Sequence, residues 1–203
     1  MTELCAIALG SNLSNEIGDS QKIVQAAIAQ LATYPEIELI KVSRWYRTKA
    51  ITLPNSAPQP DYINGCAILR TILTPLELLR ALFYIEQFFG RERRERWGAR
   101  TLDLDLLLYS DRTIDSPELV LPHPRMSDRA FVLLPLAEIA ADWIHPVTGF
   151  TIADLAQSPP DLDLSHPIVI NAKASGRCSA NKTRATSTQN PVIPNHESVP
   201  TLL

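Results

Sequence analysis

The stretch Leu102-Asp103-Leu104-Asp105-Leu106-Leu107-Leu108 leaves little conformational freedom. Leucines at alternate positions, running into an unbroken apolar triplet, read as a buried strand. On a strand, residues two apart point the same way. Asp103 and Asp105 therefore share one face, and Leu104 is turned to the other. Two carboxylates held side by side repel each other unless a positive charge sits between them. A hard cation such as Mg2+ suits that position, since it takes oxygen ligands and leaves room for phosphate oxygens. Just upstream, the run that starts at Gly90 carries Arg91, Arg93, Arg94, Arg96 and Arg100, and Trp97-Gly98 turns the chain toward the strand. Guanidinium groups pair with phosphate in a two-pronged geometry. A pair of aspartates alone is as compatible with a strand edge facing water, and an arginine run alone with a solvated face. Together they point to phosphoryl-type transfer.

The chain has 203 residues, 45% hydrophobic and 20% charged, which bounds it to one soluble domain with room for a tail. A formal net charge of -3 supplies no bulk attraction to nucleic acid. Cys5, Cys66 and Cys178 are odd in number and far apart, and the first two lie in apolar runs, so buried free thiols are expected rather than disulfides. No charged-then-apolar leader and no stretch of membrane-spanning length are evident, so a cytoplasmic setting is expected. The phosphate-binding pattern GxxxxGK[ST] is missing, which argues against a conventional P-loop kinase.

In chain order, Glu3–Leu9 reads as a strand running into Gly10-Ser11-Asn12-Leu13. Gly10 marks either a plain turn or a point of close ligand approach. A helical period spans Asp19–Tyr34, and Glu38–Arg47 reads as one strand. Thr48–Pro60 is a proline-rich loop long enough to be functional. Asp61–Thr71 is the next strand, with Tyr62 and Asn64 on one face, either a capped strand end or a surface for a flat heterocycle. Thr74-Pro75-Leu76-Glu77 forms a capping box that opens a helix ending at Phe89-Gly90. Glu86 falls on the buried stripe of that helix, in its last turn, where the dipole disfavours an anion. It therefore needs a partner, either an arginine in a structural ion pair or a ligand. Thr113-Ile114 reads as a short strand, and His123 is held between two prolines. A helix over about 131–141 is capped by Ser127 or Asp128, with Pro135 as a distortion in its early turns, and a last short helix covers Ile152–Gln157. The Ser-, Thr-, Asn- and Pro-rich remainder carries no apolar period and reads as a disordered tail over residues 166–203, after a domain of residues 1–165. The order β-α-β-β-α-β matches a ferredoxin-like core.

These residues closely resemble the 6-hydroxymethyl-7,8-dihydropterin pyrophosphokinases. The signature Arg100-Thr101-Leu102-Asp103-Leu104-Asp105-Leu106-Leu107 carries the resemblance, with Arg96-Trp97-Gly98, Gly10-Ser11-Asn12-Leu13, Tyr46-Arg47-Thr48, Asp61-Tyr62-Ile63-Asn64, Ile85-Glu86 and Leu121-Pro122-His123-Pro124-Arg125-Met126. It runs from about Ala6 to Gly149. It implies a ferredoxin-like α+β fold in three α/β/α layers. It also implies transfer of the diphosphate of ATP to the pterin hydroxymethyl group, with AMP leaving, as a step of folate biosynthesis. The implied roles are two Mg2+ ions on Asp103 and Asp105, and charge neutralisation by Arg91, Arg93, Arg96, Arg100 and Arg129. Glu86, Arg91, Arg100, His123 and Arg129 fall on the ATP side. Gly10, Thr48, Tyr62, Asn64, Trp97 and Phe131 fall in the pterin pocket. The chain departs from the family at Lys49, where a proline is common, at Phe83, where a polar nucleotide contact occurs, and at Pro124, where some members have tyrosine. A monomer acting on ATP and the pterin, with no nucleic-acid or membrane partner, is expected. Two rivals use the same features differently: a nucleic-acid module built on the sheet, and a nucleotide hydrolase with water as acceptor.

Overall fold

The structure, a computed structural model, describes residues 1–52, 57–91 and 98–157, and the backbone of residues 168–170. β1 (Glu3–Ser11) lies at the centre of the main sheet, antiparallel to β4 (Tyr62–Thr71) on one side and to β5 (Asp103–Tyr109) on the other. β2 (Ile37–Val42) and β3 (Trp45–Thr48) both pair antiparallel with β4. Taking β2 and β3 as one broken strand, this is the antiparallel ferredoxin-like arrangement, with each helical crossover skipping one strand.

The sequence expectation of one strand over Glu38–Arg47 is corrected by that break. Ser43 Oγ accepts a hydrogen bond from the Cys66 N–H at 2.9 Å and donates to the Arg44 carbonyl at 2.8 Å, so a side chain replaces a regular ladder bond. Trp45 then lies over Gly65, where an added Cβ would come within 2.6 Å of the indole ring. Only a residue without a side chain admits that approach.

α1 (Ser20–Leu31) starts at Asp19, whose side chain accepts from the Lys22 N–H. α2 (Pro75–Phe88) starts at the capping box that Thr74 and Glu77 form, and Gly90 follows its end with φ of 78°. Both helices bury one apolar stripe against the same sheet face, where Ile23, Val24 and Leu31 meet Leu78, Leu82 and Ile85 over Ile7, Leu9 and Leu104. The opposite face is covered by α3 (Ala130–Ala140), which packs Val132 and Leu136 over Ala6, Cys66 and Ile68, and by α4 (Ile152–Gln157). The result is three layers.

α3 differs from expectation at its start. Its N-cap is Arg129, with an extended backbone and no side-chain capping bond, rather than Ser127 or Asp128. The first-turn amides of Val132 and Leu133 go to the Arg129 carbonyl instead. The helix runs past Pro135 to Ala140. β6 (Ile114–Asp115) and β7 (Val120–Leu121) form a separate hairpin. Of the stretch read as a tail, the backbone of β8 (Ile168–Ile170) pairs antiparallel with β3, and residues 171–203 lie outside the described residues. Cys5 and Cys66 are free and buried, as the sequence suggests. Among the described residues no helix is long and apolar enough to cross a membrane.

Candidate active site

Strand parity builds the site. Leu104 and Leu106 enter the core under α1 and α2, so Asp103 and Asp105 turn toward the α3 side. There they open on a cavity of about 360 Å³. Gly10, next to Asp103 across the β1–β5 ladder, lies on its floor. A Cβ on Gly10 would sit 3.0 Å from Asn64 Oδ1, so glycine keeps this floor open. Thr48 at the end of β3 and Tyr62 and Asn64 at the start of β4 form one wall, and Asn64 Nδ2 donates to Thr48 Oγ1 at 2.8 Å. Phe131 and Val132, in the first turn of α3, form the facing wall. Flat aromatic surface and a fixed amide thus face one end of the cavity, and carboxylates with arginines face the other.

The charged end is tightly paired. Arg100 donates to Asp103 Oδ2 at 2.6 Å, and an Arg91 guanidinium nitrogen lies 2.7 Å from Asp103 Oδ1. Arg129 stands 3.7 Å from Asp105 Oδ2, and its guanidinium also lies 5.5 Å from the centre of the Phe131 ring. His123 Nδ1 accepts from the Arg125 N–H at 3.2 Å, so in a neutral ring Nε2 carries the proton; it faces Asp105 Oδ2 at 3.9 Å. Burial holds the His123 imidazole below its ordinary pKa despite that carboxylate. Burial, and then the charge of Asp103, push the Asp105 carboxyl above its ordinary value.

Glu86 and Arg91 stand behind this end rather than in the cavity lining. Glu86 is 1% exposed. Its carboxylate pairs with Arg91 and accepts from the Leu104 N–H at 2.7 Å, the amide between the two aspartates. The sequence left open whether its partner was an arginine or a ligand; in the folded chain it is Arg91 and that amide.

Gly10, Thr48, Tyr62, Asn64, Arg100, Asp103, Asp105, His123, Arg129 and Phe131 are therefore brought together. Arg93, Arg96 and Trp97 lie outside the described residues. Lys49, Ile51, Arg125 and Asp128 also line the cavity, without having been singled out as site residues from sequence. For both Lys49 and Arg125 a signal existed: Lys49 adjoins the motif residue Thr48, and Arg125 is itself part of the Leu121–Met126 motif.

The donor set fits magnesium. Among the described residues no group of three or more His, Cys, Asp or Glu side chains is placed to hold a metal by itself. Mg2+ is commonly held by one or two carboxylates together with substrate phosphates. Asp103 Oδ1 is buried and accepts no hydrogen bond in good geometry, although Arg91 is near, so a lone pair remains for a cation.

A ferredoxin-like sheet that ends in paired carboxylates, arginines and an aromatic-walled cavity defines the class of small-molecule group-transfer enzymes. Comparison with known proteins narrows it. Residues 6–141 match the family model of 7,8-dihydro-6-hydroxymethylpterin-pyrophosphokinase. A Synechocystis 2-amino-4-hydroxy-6-hydroxymethyldihydropteridine pyrophosphokinase is 51% identical over 151 residues, 74% of this chain and 73% of that protein. The Pseudomonas aeruginosa enzyme of the same name is 44% identical over 142 residues, 70% of this chain and 83% of that protein. Among solved structures, Plasmodium falciparum HPPK-DHPS superposes with a TM-score of 0.60 at 16% identity, over 78% of this chain. The match spans 43% of that longer chain and speaks to the fold. The protein belongs to the 7,8-dihydro-6-hydroxymethylpterin-pyrophosphokinase family. It is an enzyme, a transferase of the pyrophosphokinase type.

Proposed function

We propose that the protein transfers the terminal diphosphate of ATP to the hydroxymethyl oxygen of 6-hydroxymethyl-7,8-dihydropterin, releasing AMP, in the folate pathway of the cytoplasm. One observation carries this reading: the two β5 aspartates open on the same cavity as Tyr62, Asn64 and Phe131. The pterin ring lies between Tyr62 and Phe131, with Asn64, fixed by Thr48, reading its polar edge. The triphosphate lies at the charged end. There the hydroxymethyl oxygen bonds to the β-phosphorus as the bond to the α,β-bridging oxygen breaks, and the hydroxyl proton is released.

Asp103 and Asp105 would hold two Mg2+ ions, whose positive charge stabilises phosphate oxygens in the transition state. Arg100 and Arg129 reach the same carboxylates and are placed to pass to phosphate oxygens as the ligand enters. Arg91 is held from behind by Glu86 and supports Asp103. His123 presents its Nε2 proton toward the nucleotide side. Arg93, Arg96 and Trp97 complete the proposal from sequence alone. Substrates are small molecules and the acting unit is a monomer.

AMP formation from ATP and magnesium, measured with and without the pterin, tests the reading. Pterin-dependent AMP matched by a diphosphorylated pterin is the expected result. AMP formed equally without pterin would make the protein a nucleotide hydrolase and overturn it.

A further inference from the structure

The motif Gly10-Ser11-Asn12-Leu13 gives Gly10 to the cavity floor, while Ser11 and Asn12 line no part of the cavity. Asn12 is nevertheless 3% exposed, and its amide is fully engaged. Nδ2 donates to the Pro60 carbonyl at 3.2 Å and to Gln59 Oε1 at 3.3 Å. Oδ1 accepts from the Arg100 N–H at 2.7 Å. The backbone N–H groups of Asn12 and Leu13 both donate to the Arg100 carbonyl, at 3.0 and 3.1 Å. One buried side chain thus joins two segments far apart in sequence. Gln59 and Pro60 lead directly to Tyr62 of the aromatic wall. Arg100 places its guanidinium on Asp103 at the charged end.

We propose that Asn12 is a positioning residue that fixes the Tyr62 edge of the cavity relative to the Arg100–Asp103 edge, and so sets the pterin against the phosphates. The inference rests on the functional reading above. A primary amide supplies two donors and an acceptor from one short side chain. Aspartate keeps the acceptor for Arg100 but sets oxygen against oxygen at the Pro60 carbonyl and removes the donor to Gln59 Oε1. Alanine leaves the Arg100 N–H and the Pro60 carbonyl both without this partner, and a buried polar group so left costs more than the bond itself contributed.

The test uses the full chain with Asn12→Asp, Asn12→Ala and Gln59→Ala, read by amide hydrogen exchange and by steady-state kinetics with ATP and 6-hydroxymethyl-7,8-dihydropterin. In Asn12→Asp, exchange quickens at the amides of Gln59, Asp61 and Tyr62 while the Arg100 amide stays protected. The pterin KM rises about tenfold, with kcat held within about twofold. In Asn12→Ala the Arg100 amide loses protection as well, and kcat also falls about tenfold. Gln59→Ala leaves the Arg100 bonds in place and raises the pterin KM by about threefold, which carries the comparison if the Asn12 variants do not fold. A merely structural role would lower Tm without separating KM from kcat; that result, or unchanged constants in folded variants, overturns the inference. Wild-type protein without pterin-dependent AMP would instead sink the functional reading, and the inference with it. An active wild type with indifferent variants sinks the inference alone.

Discussion

Glu86 tests how the two aspartates are held. It sits in the last turn of α2, between Arg91 and the Leu104 N–H on the edge of β5 that faces away from β1. Glu86→Ala removes the acceptor from a buried amide, at about 1–3 kcal/mol. It also takes one of two carboxylates from Arg91, whose guanidinium remains 2.7 Å from Asp103. The loss therefore falls toward the lower end of the roughly 3–5 kcal/mol expected when a buried pair loses one member. We expect about 3 kcal/mol, seen as a lower urea midpoint at constant m, and about 1 kcal/mol for Glu86→Gln, which keeps an acceptor for Leu104. The pH dependence has a definite sign. Burial lifts the Glu86 carboxyl from 4.5 to about 7, against the opposing pull of Arg91 and the Leu104 amide. A raised carboxyl pKa means that the folded state binds the proton more tightly than the unfolded chain. The associated stability is fully present below 4.5 and is lost as pH rises through about 7. Glutamine does not titrate, so the stability of wild type relative to Glu86→Gln grows on acidification over that window, by at most about 3 kcal/mol. A cost below about 1 kcal/mol for Glu86→Ala, or a wild-type advantage that shrinks on acidification, would refute this reasoning.

Asp103→Ala should lower kcat by about a thousandfold with the far-UV spectrum unchanged; near-normal turnover would remove Asp103 from the metal-holding role. Gly65→Ala forces a methyl group to within 2.6 Å of the Trp45 ring and should destabilise by about 1–3 kcal/mol in urea unfolding, and a neutral result would show that β3 can shift off β4. Tyr46, on β3, donates to Glu138 on α3, and burial followed by that bond pushes the phenol up to about 12. The stability of this clamp is present below 10 and is lost as pH rises through about 12, so wild type should lose an alkaline increment that Tyr46→Phe lacks. Parallel alkaline unfolding curves for the two proteins would contradict it.

Period and local chemistry made much of this chain legible. Alternation in Leu102–Leu108 placed Asp103 and Asp105 on one face, and Thr74 with Glu77 announced the start of α2, because both signals lie within a few residues. Three consecutive leucines carry no parity: alternation leaves Leu106 under α2 and Leu107 under α3, and a register shift against Ala6 and Ile7 turns Leu108 to the α3 side as well. The break at Ser43 was missed for a related reason: a β-branched and aromatic run looks continuous until a hydroxyl takes a ladder position from Cys66.

Other features were invisible because they join side chains to distant backbone. Asn12 meets Arg100 across 88 positions, and Arg44 meets Glu138 across 94. Neither leaves a local trace, since a buried Asn and a surface Asn read alike. Glu86 falls between these cases. A carboxylate on a buried stripe, at the wrong end of a helix dipole, declares that a partner exists. It does not name the partner, because an arginine, a ligand and a strand amide would each satisfy it. Asp103 with Asp105, and Tyr62 with Asn64, thus follow from periodicity, whereas residues that hold them in place show at most as anomalies. That asymmetry makes Glu86 and Asn12, rather than the aspartates themselves, the positions where the geometry adds most to the sequence.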